Sequence, residues 1–107
     1  MTLNLFNNWL VRGLLLATLL AMTGCIGGPP VQEMSDARQA ISAAREAGAS
    51  DAAPEELRAA EDFLDSALRN LTRKEYGLAR DDALEAKDKA VAALATTERA
   101  APSEPRP

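Results

Sequence analysis

The hydrophobic positions of this chain change character once along its length. From Gly13 to Met22 they run almost without interruption, and Arg12 is the only charge before them. Beyond Pro30 they recur at steps of three and four, the period of one face of an α-helix. Met34, Ala37, Ile41 and Ala44 share such a face in a helix predicted from Gln32 to Ala47, which Gly48 stops. A break over Ala49-Ser50-Asp51-Ala52-Ala53 leads into Pro54. The fixed φ and missing N–H of proline suit the first turn of a helix, and Glu55 and Glu56 follow where negative charge favours a helix N-terminus. From Pro54 to about Thr72, Leu57, Leu64, Leu68 and Leu71 form a leucine stripe, with Ala60 and Ala67 beside it and Phe63 at its edge. The link Thr72-Arg73-Lys74-Glu75 is long enough only for a turn between antiparallel helices. From about Glu75 to Arg99, Tyr76, Ala79, Ala83, Ala86, Ala90 and Ala93 recur in turn, and Leu84, Val91 and Leu94 widen the face.

No Val/Ile/Thr-rich alternating run competes with these helices, so the pattern predicts an all-α fold. The expected architecture is a small antiparallel three-helix bundle, or a helical hairpin plus one helix. An alanine seam lets helices approach more closely than the usual ~8–10 Å, because only methyl groups intervene. The large side chains expected inward are Met34, Ile41, Leu57, Phe63, Leu64, Leu68, Leu71, Tyr76, Leu84, Val91 and Leu94. That is a thin core. Asp65 with Arg69 and Glu85 with Lys89 have the acid-first spacing that supports a helix surface by a few tenths of a kcal/mol. Residues 100–107, with Pro102, Pro105 and Pro107, are expected to form a disordered tail.

Composition narrows the chemistry. The chain has 107 residues, 16 Asp and Glu against 12 Lys and Arg, no His and one Cys. One domain is the expectation. His-based or paired-Cys zinc sites, internal disulfides and Ser-His or Cys-His nucleophiles are excluded by the missing residue types. A net charge of −4 argues against nucleic acid as a partner. No metal, cofactor or small-molecule substrate is evident.

The chemistry that remains is in the first 25 residues. A charged residue, an apolar run and small residues in that order are the grammar of a signal peptide. About ten apolar residues make ~15 Å of helix, half of the ~30 Å hydrocarbon core, which suits a removable segment better than a permanent span. The ending Leu20-Ala21-Met22-Thr23-Gly24-Cys25 resembles the lipobox of bacterial lipoproteins, although Met22 stands where Leu is usual. The resemblance implies cleavage between Gly24 and Cys25, diacylation of the Cys25 sulfur and acylation of its new amino group. Two or more acyl chains make a stable anchor. Ile26, where Asp would by the same resemblance favour the inner membrane, implies the outer membrane and a domain facing the periplasm. Gly27-Gly28-Pro29-Pro30 then forms a short tether. The expected organisation is a signal peptide over 1–24, a lipidated Cys and tether over 25–31, a helical domain over 32–99 and the tail. Cleavage would remove only Arg12 among the charges, taking the net charge from −4 to −5.

The order of landmarks in the helical part carries a second resemblance. It comprises Met34, Ala37, Arg38, Ala40, Ile41 and Ala44; then Ala47, Gly48, Ala49, Ala53, Pro54, Leu57 and Ala60; then Lys74, Glu75, Tyr76, Ala79, Arg80, Ala83, Ala86 and Ala90. Together they look like the bacterial envelope lipoprotein family described only as domain of unknown function 4398. The resemblance implies the architecture and the lipoprotein class, and transfers no active site.

Candidate surface residues have plain readings beside sharper ones. Asp81, Glu85 and Asp88 fall on one outward stripe, where solvated charge is the expectation rather than a cation site. Arg38, Arg45, Arg80 and Lys87 border the apolar stripes, where their stems cover the core edge. With Leu78, the large apolar residue placed away from the alanine seam, they form a possible contact face for lipid, peptidoglycan or protein. The expected function is that of a noncatalytic, lipid-anchored periplasmic lipoprotein acting through protein–protein contacts, as an adaptor or accessory subunit. The alternative is a self-associating structural spacer of the envelope.

Overall fold

The computed structural model describes residues 2–21 and 27–102, and in that range the chain is helical without strands. Its helices are α1 (Thr2–Ala21), α2 (Val31–Ala47), α3 (Ala49–Ala52), α4 (Pro54–Thr72) and α5 (Tyr76–Ala100). The class is all-α, as the periodicity predicts. Among the described residues, helix α1 has no contact with the other helices, and Phe6, Trp9 and Leu10 are exposed. No helix among the described residues is long and apolar enough to cross a membrane. Cys25 and its neighbour Gly24 lie outside the described residues, as does most of the tail.

Local chemistry sets the helix ends. Helix α2 stops at Gly48, which takes φ 99°, and its N–H is donated back to the Ala44 and Arg45 carbonyls. That left-handed conformation suits a residue without Cβ. The next stretch, expected as a break, is a single helical turn. Asp51 and Ala52 donate to the Gly48 carbonyl, and Ala53 donates to that of Ala49. Ala49 and Ala53 are buried, and backbone groups in a buried link need internal partners, which a helical turn supplies. Pro54 then opens α4 at its first position. After Thr72 the chain reverses through Lys74, which takes the left-handed φ of 62°. The Lys74 N–H is donated to the Leu71 carbonyl at 3.0 Å and the Glu75 N–H to that of Asn70 at 2.9 Å. This paired closure of a helix end usually carries glycine where Lys74 stands.

Helix α5 is the centre of the bundle and packs on α4, α2 and α3. Ala79, Ala83, Ala86, Ala90 and Ala93 are all 0% exposed. The alanines facing them, Ala37 and Ala44 on α2 and Ala60 and Ala67 on α4, are equally buried. The seam predicted between α4 and α5 therefore also serves α2. Larger side chains fill the spaces beside it. Ile41 and Leu57 pack with Ala90 and Ala93 at one end, and Met34 packs with Ala67 and Ala83 at the other. Leu64, Leu71 and Leu94 are partly buried around these clusters.

The expected core needs correction at three positions. Leu68 (37% exposed), Leu84 (45%) and Val91 (51%) lie on the surface. Where alanine methyls already fill the line of contact, residues one flank away have no gap to enter. The pairs Asp65–Arg69 and Glu85–Lys89 are not among the ion pairs of the described residues, all of which join different helices.

Substitution of Ala83 or Ala90 by Leu is expected to lower stability by about 1–3 kcal/mol or more through overpacking. Val91→Ala should change it by less than about 0.5 kcal/mol, because Val91 is exposed. Chemical denaturation of the three variants checks this ordering. Space is open around a Cβ placed at Gly48, so Gly48→Ala is strained only by its φ and should cost about 1–2 kcal/mol. By the same measurement Lys74→Gly should stabilise the protein, by up to about 1 kcal/mol.

Candidate functional site

The polar side chains predicted to form a contact face separate into two grooves. On the α2–α5 side, Arg80 donates from Nε to the Glu33 carboxylate at 3.1 Å and from Nη2 to the Gly28 carbonyl at 3.2 Å. One guanidinium thus joins α5, the first turn of α2 and the tether. Seven residues on, Lys87 Nζ lies 4.0 Å from Asp36 of α2. On the α2–α4 side, Arg45 Nη2 pairs with Glu61 at 3.0 Å. Arg38 has no ion pair among the described residues. It borders a hollow with Pro29, Val31, Met34 and Leu71, and the next one along with Ile41, Arg45, Glu61, Leu64 and Asp65.

Leu78 is 55% exposed, as its place on the helix predicts. It does not join Arg80 and Lys87, since two residues along a helix is about 200° of rotation and sends it to the other flank of α5. The residues Leu78, Arg38, Arg45, Arg80 and Lys87 therefore do not form one face. Arg45, Arg80 and Lys87 hold helices together, which fits the reading of basic residues bordering the core. Asp81, Glu85 and Asp88 are exposed. Among the described residues no group of three or more His, Cys, Asp or Glu side chains is placed to hold a metal ion.

The best-built polar cluster is one that periodicity passes over. Asp82, half-buried between α4 and α5, accepts at Oδ2 from Ser66 Oγ at 2.6 Å and from Asn70 Nδ2 at 2.8 Å. The carboxylate fastens the hairpin near its turn. Its signal in the sequence is weak: Ser66 and Asn70 stand four apart on one flank of the leucine stripe, and an acid follows just past the turn. At the far end Thr96 donates to Glu56 at 3.3 Å, again joining α5 to α4. Thr97, the one buried polar residue among those described, donates to the Ala93 carbonyl at 2.7 Å within its own helix.

These features define a helical scaffold whose cross-helix ion pairs serve packing. Residues 32–104 match the family described as domain of unknown function (DUF4398), and the chain belongs to that family. No curated protein and no solved structure matches it.

Asp82→Ala leaves two half-buried donors without their acceptor and should cost about 1–3 kcal/mol. Arg45→Ala breaks a largely exposed pair and should cost at most about 1 kcal/mol. Thermal unfolding of both variants tests whether the carboxylate cluster outweighs the ion pair.

Proposed function

We propose that this is a noncatalytic lipoprotein of the bacterial envelope, anchored through acyl chains on Cys25 in the outer membrane and facing the periplasm. Its helical domain acts as an adaptor or accessory subunit that binds another protein. The lipobox-like Leu20–Cys25 segment supports the anchor, and the glycine-proline tether supports a domain held close to it. The observation that carries the protein-binding reading is the distribution of side chains on α5. Its alanine face is consumed in packing, while Leu78, Leu84 and Val91 stand exposed on its flanks. Large apolar side chains on a firm helical scaffold are suited to contact with a second protein.

Leu84 and Val91 also favour the second reading, a self-associating spacer. They stand seven residues apart, two helical turns, on the same flank of α5 and can meet their equivalents on another copy.

In cells, Cys25→Ala is expected to abolish acylation and processing and to release the protein from the membrane fraction. Unchanged mass and membrane retention would overturn the anchor. Photo-crosslinking from Leu78 and Leu84 of the lipidated protein should capture one discrete envelope protein from one flank. Adducts to the protein itself from Leu84, with sedimentation that depends on concentration, would establish the spacer instead.

A further inference from the structure

We infer that the end of the bundle formed by the α4–α5 turn docks on the anionic phospholipid surface in which the chain is anchored, with Arg69, Arg73 and Lys74 as its headgroup contacts. The inference rests on the anchoring reading above and adds an orientation and a lipid chemistry to it.

The fold returns this turn to the anchor. Residues 69–75 are more than forty positions from Cys25 in sequence, yet Leu71 of the last α4 turn lines one hollow with Pro29 of the tether and Val31, the first residue of α2. From the other side, Arg80 in the first turns of α5 donates to the Gly28 carbonyl at 3.2 Å. The tether is therefore held against this end of the bundle and not against the other. Cys25 precedes Gly28 by three residues, and three residues span at most about 11 Å however they are arranged. That keeps Gly28, and with it the end of the bundle that Arg80 ties to it, within about 11 Å of the anchoring residue, comparable to the Debye length of about 8–10 Å over which basic side chains sense a charged surface.

Charge is distributed accordingly. Arg69, Arg73 and Lys74 are all exposed and have no ion pair among the described residues. The acids near them are Asp65, one turn before Arg69, with Glu75 and Asp81, all three exposed, while Glu33 is paired with Arg80 and Asp82 accepts from its two donors. The opposite end carries Glu46, Asp51, Glu55, Glu56 and Glu98 against Arg45, Arg58 and Arg99, a net acidic balance. Each basic residue close to an anionic surface strengthens association roughly fivefold. The backbone supplies an independent indication. Lys74 occupies a left-handed position, φ 62°, that glycine fills at lower cost, so a cationic side chain stands at the tip of the turn against local backbone preference.

The lysines of the chain are Lys74, Lys87 and Lys89, which gives the test its own internal reference. The full chain, purified from membranes, is reconstituted into phosphatidylcholine vesicles with and without phosphatidylglycerol, and treated with a membrane-impermeant amine reagent. Labelling is read by mass spectrometry. Lys74 should be labelled about threefold or more slowly in the anionic vesicles than in the neutral ones, with Lys89 unchanged and the protection lost in high salt. Arg69→Glu with Arg73→Glu, both exposed, should abolish the protection without unfolding the bundle. Equal Lys74 labelling in the two vesicle types, with the chain co-sedimenting in both, overturns the docking and leaves the anchor standing. A chain that sediments with neither overturns both.

Discussion

Five alanines of α5, Ala79, Ala83, Ala86, Ala90 and Ala93, present only methyl groups along its line of contact, and every one is fully buried. The rest of the bundle depends on that constraint. A buried methyl contributes only about 0.8 kcal/mol by transfer, so the seam stabilises through the dispersion contacts that close approach allows. Close approach in turn needs alanine on both sides, which Ala37, Ala44, Ala60 and Ala67 provide. It also explains why a chain with few aromatics can make one helix serve three partners. A leucine in the seam would push apart α2 and α4 as well as α5.

A seam of small residues leaves the large side chains and the polar groups to work at its edges. Ile41, Leu57 and Met34 close the ends of the bundle, while Leu84 and Val91, displaced from the contact line, stay on the surface. Alanine faces slide easily along one another, and the cross-helix polar contacts set their register. Asp82 holds α4 to α5 near the turn, Thr96 with Glu56 does so at the other end, and Arg45 with Glu61 closes α2 on α4. Arg80 joins this set to the tether. The basic residues that border the core thus have a mechanical role before any role in recognition. What remains for partners is the apolar residues on the flanks of α5 and the charge at the ends of the bundle.

Antiparallel helices bring both of their distant ends back to two places. In this bundle, the start of α2, the end of α4 and the start of α5 gather beside Gly28–Val31. An anchor before the tether then orients the whole domain, because Pro29 and Pro30 are stiff and Pro30 is buried against the helices. In the proposed lipoprotein the helical domain would present its flanks sideways and its acidic end away from the membrane.

Helix type, helix boundaries and the alanine seam were all legible in the sequence, because each follows from local rules. Period reports a face, Gly48 and Pro54 punctuate, and four residues between helices permit only reversal. The lipobox-like address is also a property of sequence alone. Other features depended on which neighbour fills which space. The break after Gly48 became a helical turn because Ala49 and Ala53 are buried and their backbone needs partners. Leu68, Leu84 and Val91 were expelled from the expected core because a face one residue too wide cannot fit against helices packed at methyl distance. The division of Arg38, Arg45, Arg80 and Lys87 between two grooves, and the clasp of Asp82 on Ser66 and Asn70, follow from helix rotation and pairing across long separations. Periodicity gives the angle of a residue on its own helix. Which helix lies at that angle is decided only when the helices pack.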